Sequence, residues 1–108
     1  MKQEIRDFIF NRDMYQCQRC GSPATEIAHR IANTESNLKE IMDTFKHKIG
    51  KAREILNHPL NLSASCRSCN DYYNIGNKPY SKHLLLLKII SDLNKAGTFQ
   101  SQPGLPDS

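Results

Sequence analysis

Apolar residues recur at helical spacing near both ends of the chain. The first predicted helix, in KQEIRDFIFNRDMY, is short and has an apolar face of Ile5, Phe8 and Ile9. The second covers residues 81–96, with Ser81 as its N-cap and Gly97 as its C-cap. Its core face comprises Leu86, Ile89, Ile90 and Leu93. The remaining residues, 98–108, are rich in Pro, Gly and Ser and are predicted to form a flexible tail.

Residues 33–57 form a polar, charged stretch that the pattern predicts to be a helical insert. One helix is expected to begin after an N-cap at Thr34 or Ser36 and to end near Gly50. Its apolar face comprises Leu38, Ile41, Met42, Phe45 and Ile49.

Three short segments flank this insert. ATEIAHRIA has the composition of a strand that carries His29, and HPLNLSAS is predicted to be a loop or a second short strand. CRSCNDYYNI can continue as a helix that carries Asn70 and Asn74 on one face and is bounded by Gly76 and Pro79. Short strands followed by helices predict a small α+β domain over residues 1–97.

Composition narrows the class of protein. The chain has 108 residues and a net charge of +4, which favours a polyanionic partner such as nucleic acid. The N-terminal MKQEIRDFIF lacks the features of a secretory signal, so a cytoplasmic location is expected. The longest apolar run, HLLLLKII, is interrupted by Lys88 and is far shorter than the roughly 20 residues that span a bilayer, so no membrane span is predicted.

The four cysteines carry the strongest chemical signal. They form two C-x-x-C pairs, Cys17 with Cys20 and Cys66 with Cys69. Two such pairs can supply four thiolates to a tetrahedral zinc, and a site with four protein ligands has no open position for catalysis. The pattern therefore predicts a structural zinc, and the alternative is four buried or disulfide-bonded cysteines.

The order CQRCG, AHRI, HPLNL and CRSCN resembles the HNH nuclease family of the ββα-metal fold, over about residues 5 to 75. In that family a first cysteine pair is followed by a His near the end of a strand, an Asn-Leu, and a second pair whose last Cys precedes His or Asn. The matching residues beyond the cysteines are His29, Asn61, Leu62 and Asn70, an H-N-N variant. The resemblance implies a β-hairpin and a helix tied by the zinc, with flanking helices.

The resemblance also implies roles for these residues. His29 would be the general base that takes a proton from water, and Asn61 would orient it by bracing the loop backbone. Asn70 would bind a catalytic Mg²⁺ or Mn²⁺, with Asn74 as a second ligand or positioning group.

One position departs from the family pattern. The residue before the catalytic His often binds the metal too, but here it is Ala28, which has no ligand atom. Glu26, two residues earlier on the strand, is expected on the same face and is one substitute. Asn74 and His58 are others, and the phosphate and waters are a further alternative.

The implied activity is hydrolysis of DNA phosphodiester bonds that leaves 5′-phosphate and 3′-hydroxyl ends. Arg30 and Arg67 are the candidate phosphate contacts. The alternatives are a catalytically impaired, zinc-stabilised nucleic-acid-binding module and a zinc domain for protein interaction. Leu84 and Leu87 fall outside the core stripe of the C-terminal helix, which predicts a homodimer through residues 82–95.

Overall fold

The computed structural model describes residues 1–75 and 79–96 of the chain. These residues form four α-helices and one two-stranded sheet, with two short 3-10 helices between them. In chain order the elements are α1 (Gln3–Arg12), β1 (Glu26–His29), α2 (Glu35–Phe45), α3 (Ile49–Leu56), a 3-10 helix (Pro59–Asn61), β2 (Leu62–Ser65), a 3-10 helix (Arg67–Tyr73) and α4 (Pro79–Ala96). The predicted α+β class is confirmed. No helix among these residues is long and apolar enough to cross a membrane.

The sheet is an antiparallel pair of four-residue strands. His29, at the end of β1, lies opposite Leu62, the first residue of β2, and Glu26 lies opposite Ser65. The strand predicted in ATEIAHRIA is therefore confirmed, and of the two alternatives for HPLNLSAS, a loop or a second short strand, residues 62–65 form the strand. Ala28 of β1 is fully buried, so a larger, metal-binding side chain at this position would have to be accommodated in the protein interior.

The core joins the sheet to all four α-helices. Its completely buried members include Ile9 of α1, Ile55 and Leu56 of α3, and Ile89 and Leu93 of α4. Burial of such side chains contributes roughly 1.5–3 kcal/mol each, so the helices are held to the sheet mainly by packing.

The helical insert is two helices, which corrects the prediction of a single helix ending near Gly50. Of the two predicted N-caps, Thr34 and Ser36, Thr34 is the N-cap, since its hydroxyl accepts a hydrogen bond of 3.2 Å from the backbone N–H of Asn37. The helix then ends at Phe45 because Lys46 adopts a left-handed conformation with φ of 59°. The reversal lets α3 pack against α2 and bury Ala52, Ile55 and Leu56. Ile49 begins α3 and is 45% exposed, not part of the core face.

The C-terminal helix begins earlier than predicted. Pro79 is its first residue, where a proline has no N–H to lose, so Ser81 lies inside the helix and is not its N-cap. Leu86, Ile89 and Leu93 are buried as expected, and Ile90 is only partly buried. Leu85 is buried as well, which the stripe did not predict. Gly97 and the tail at 98–108 lie outside the described residues.

The segment that follows Cys66 is a 3-10 helix, not the α-helix that would place Asn70 and Asn74 on one face. It ends at Tyr73, and Asn74 is extended. A 3-10 helix has three residues per turn, so Cys66 and Cys69 lie one above the other, and the backbone N–H of Cys69 donates to the carbonyl of Cys66 at 3.2 Å. Gly76 lies outside the described residues.

Candidate metal centre and histidine pocket

The two cysteine pairs come together in space. All four Sγ atoms lie within 4.8 Å of one another, and none is in a disulfide. Metal–sulfur bonds of about 2.3 Å in a tetrahedron require sulfurs about 3.8 Å apart. The Sγ atoms of Cys20 and Cys66 are 3.7 Å apart. The cluster can therefore hold a metal ion such as zinc.

The first cysteine pair is presented by a tight turn. The backbone N–H of Cys17 donates to the carbonyl of Ser22 at 2.7 Å, and the N–H of Gly21 donates back to the carbonyl of Cys17 at 2.8 Å. Gly21 has φ of 79°, which glycine adopts at no steric cost. The turn is fixed to the sheet by the backbone N–H of Gln18, which donates to the carbonyl of Ala64 at 3.2 Å. The buried carboxylate of Asp13, just before the turn, accepts the backbone N–H of Ala64 at 2.8 Å.

The cysteines differ in how readily they ionise. Burial raises the pKa of Cys66 to about 11. Burial also opposes ionisation of Cys17, but backbone hydrogen bonds from both cysteine pairs outweigh it and lower the pKa of Cys17 to about 5. Metal binding requires all four groups as thiolates, so a cation among the sulfurs would have to supply the stabilisation that Cys66 lacks.

Polar side chains surround the sulfurs. Arg19 donates from Nη1 to Sγ of Cys69 at 3.6 Å, and its guanidinium lies 3.8 Å from the ring centroid of Tyr72. The hydroxyl of Tyr73 is 3.6 Å from Sγ of Cys17. Such contacts disperse negative charge on thiolates and orient them.

A pocket of about 230 Å³ is lined in part by the 3-10 helix that follows Cys66 in sequence. Its lining comprises His29, Ala32, Asn33, Asn70, Asp71 and Asn74. The structure thus brings together three residues that the sequence proposed, although they lie on different elements. The pocket lining also includes Asp71, which the sequence did not indicate as a site residue. The one feature in the sequence that could have pointed to Asp71 is its position directly after Asn70.

His29 has a partner that the sequence did not indicate. Its Nε2 atom lies 3.0 Å from Oδ1 of Asn57, the C-cap residue of α3. The two residues are 28 positions apart, and no spacing rule connects the end of the insert with β1.

Asn61 is fully buried and bridges two backbone segments. Its Oδ1 accepts the backbone N–H of Ile31 at 2.8 Å, while its Nδ2 donates to the carbonyls of Ile31 at 3.1 Å and Leu56 at 2.8 Å. The segment directly after His29 is therefore fastened to the end of α3. Arg12 of α1 holds the 3-10 helix that contains Asn61, because its guanidinium donates to the carbonyls of Pro59 and Leu62.

Asn70 is oriented by Glu26. Its Nδ2 donates to Oε1 of Glu26 at 2.8 Å, which leaves the amide oxygen Oδ1 as the end able to accept or to bind a cation. Glu26 does not line the pocket, and its other carboxylate oxygen lies 3.6 Å from Nε of Arg67. Arg67 is 92% exposed, and Arg30 is also exposed.

His58, weighed from the sequence as a substitute metal ligand, does not line the pocket. It is 2% exposed, its Nδ1 accepts the backbone N–H of Leu60 at 3.0 Å, and its Nε2 is 2.9 Å from Oδ2 of Asp92. Burial lowers its pKa, although the carboxylate of Asp92 acts in the opposite direction. His58 connects the loop before β2 to α4.

Comparison of the chain with known protein families, with curated proteins and with solved structures finds no match in any of the three. The function is therefore argued from the residues and their geometry.

Proposed function

We propose that the protein is a metal-dependent DNA endonuclease of the HNH type, with a ββα-metal core tied by a zinc at the four cysteines. The observation that carries the proposal is the pocket that His29 lines together with Asn70 and Asn74. Asn70 directly follows Cys69, one of the four clustered cysteines. A base, oxygen ligands and a closed thiolate site are the parts that the resemblance requires. The +4 charge of the chain is consistent with a nucleic-acid substrate.

The pocket suits a hard divalent cation such as Mg²⁺ or Mn²⁺, which prefers oxygen ligands. Asn70 has its amide oxygen available, and Asp71, which carries a carboxylate, lines the same pocket. Asp71 would thereby take the place of the metal ligand that the alanine at position 28 cannot supply. When bound, the ion would polarise the scissile phosphate and stabilise the leaving oxygen.

The other residues take roles in substrate binding and proton transfer. Arg30 and Arg67 are exposed cations that would hold phosphates of the DNA backbone. His29 would remove a proton from the attacking water, whose oxygen then forms a bond to phosphorus while the bond to the 3′ oxygen breaks. The products would carry 5′-phosphate and 3′-hydroxyl ends.

Incubation of the zinc-loaded protein with supercoiled plasmid and Mg²⁺ or Mn²⁺ tests the proposal. His29→Ala is expected to abolish cleavage with zinc content and melting temperature nearly unchanged. His47→Ala, at a histidine in the turn between α2 and α3, is the matched control and is expected to cleave normally. Loss of stability in parallel with activity in His29→Ala would contradict a role as base.

The second candidate function is a zinc-stabilised nucleic-acid-binding module without catalysis. It is favoured by Ala28, which is fully buried and has no ligand atom. Wild-type protein that binds DNA but leaves plasmid intact with either metal would support this function. Failure to bind DNA at all would favour the zinc domain for protein interaction.

A further inference from the structure

We propose that Asn57 sets the tautomer of His29, so that Nδ1 is the ring nitrogen able to take a proton. This inference rests on the proposed function for its catalytic consequence, but the tautomer itself is a property of the folded protein. Asn57 would be a positioning residue that acts through His29.

The hydrogen bond between the two side chains has one chemically allowed direction. The amide oxygen of Asn57 has no hydrogen and can only accept, so Nε2 of His29 must donate across the 3.0 Å separation. A neutral imidazole carries one N–H, which leaves Nδ1 with a free lone pair.

Asn57 is held in a position suited to this task. The end of α3 is closed by the backbone N–H of Asn57, which donates to the carbonyls of Arg53 and Ile55, so the side chain is not used as a cap. The preceding residues, Ile55 and Leu56, are fully buried. The amide oxygen therefore projects from a packed helix end, not from a loose loop.

The same helix end is tied to the segment that carries His29. Asn61 donates to the carbonyl of Leu56 and to that of Ile31, two residues after His29. The donor and acceptor of the His29–Asn57 bond are thus fixed relative to each other by a buried bridge. The insert between the strands supplies a part of the site.

In the proposed reaction the bond has a defined effect. Nδ1 takes a proton from water, the O–H electron pair becomes the nucleophile, and the ring becomes a cation with both nitrogens protonated. The oxygen of Asn57 accepts from Nε2–H before and after this step, so it orients the neutral ring and stabilises the cation.

Nitrogen NMR of the zinc-loaded full chain, above the pH at which imidazoles are protonated, tests the tautomer. In the wild type, Nε2 of His29 is expected to give a protonated, pyrrole-type signal and Nδ1 an unprotonated, pyridine-type signal. Asn57→Ala should give averaged signals from a mixture of tautomers. Asn57→Asp keeps an acceptor and should restore the wild-type pattern, and Asn94→Ala, at an exposed asparagine of α4, should not change it.

Cleavage kinetics are the second measurement. Asn57→Ala is expected to lower kcat by about 10- to 100-fold, the usual effect of losing an orienting partner, with little change in KM. Asn57→Asp should recover most of that loss. A wild-type signal with Nδ1 protonated, or an Asn57→Ala variant with the wild-type tautomer, overturns the inference. Wild-type protein that shows the expected tautomer but cleaves nothing supports the assignment and refutes the nuclease proposal.

Discussion

Replacement of Asn61 by Ala should destabilise the protein strongly, whatever its function. The side chain is fully buried and makes three hydrogen bonds, all to backbone groups. Alanine removes the acceptor for the N–H of Ile31 and the donor for the carbonyls of Ile31 and Leu56.

The size of the effect follows from what remains after the substitution. A buried polar group left without a partner costs about 1–3 kcal/mol. Three such groups set the upper limit of the lost free energy of unfolding. The space vacated by the amide can admit a water that hydrogen-bonds to some of these groups and reduces the loss. A loss of about 3 kcal/mol is therefore expected, which is a large fraction of the roughly 5–15 kcal/mol that a domain of this kind has.

Urea unfolding with saturating zinc measures the loss as a change in the midpoint at constant slope. Hydrogen exchange gives a local readout, since the N–H of Ile31 should lose protection beyond that of the neighbouring core amides. Asn94→Ala is the control for the same substitution at an exposed position and should change stability by less than about 0.5 kcal/mol. If Asn61→Ala behaves like Asn94→Ala, the bridge does not stabilise the fold and the reasoning is refuted.

Three further outcomes are expected. Purified protein should contain one zinc, and Cys66→Ser should lose both zinc and folded structure by circular dichroism; a folded, metal-free wild type would contradict this. Burial lowers the pKa of His58 in the folded protein, so as the pH falls the unfolded chain is protonated at this histidine before the folded protein is. The free energy of unfolding should therefore be highest above about pH 6.5 and decline below it, with a smaller decline in His58→Gln. An equal decline in both proteins would show that the contact with Asp92 keeps the folded histidine protonated. Leu84 and Leu87 are 48% and 45% exposed and are the predicted contact between two copies of the chain. Their replacement by Gln should turn a dimer into a monomer, as measured by light scattering. A wild-type protein that is monomeric at micromolar concentration would exclude the dimer.

Local patterns in the sequence were enough to predict most of the elements and the cysteine cluster. A C-x-x-C pair brings its two sulfurs close because only a few backbone dihedral angles separate them. The spacing of apolar residues that marks a strand or an amphipathic helix is likewise visible within a short stretch of sequence. For this reason β1 and most of the buried stripe of α4 were correctly predicted, whereas β2 and the N-cap Thr34 were each one of two alternatives that the pattern left open.

The errors arose where packing overrode the local period. The apolar positions from Leu38 to Ile49 would share one face of a single helix, but a left-handed Lys46 ends that helix at Phe45. The separate helix α3 then buries Ile55 and Leu56. Similarly, the segment after Cys66 is a 3-10 helix, whose tighter turn places Cys66 and Cys69 one above the other beside the first pair.

The pocket itself depended on tertiary structure. His29 and Asn57 are 28 positions apart, and no local period relates a strand end to the end of a helix in another element. Asp71 gave no signal beyond its neighbour Asn70, because whether a polar side chain faces a pocket or solvent depends on the elements packed around it. Residue types and short spacings can therefore name candidate groups, whereas their partners are set by long-range contacts that form only when the insert packs against the sheet.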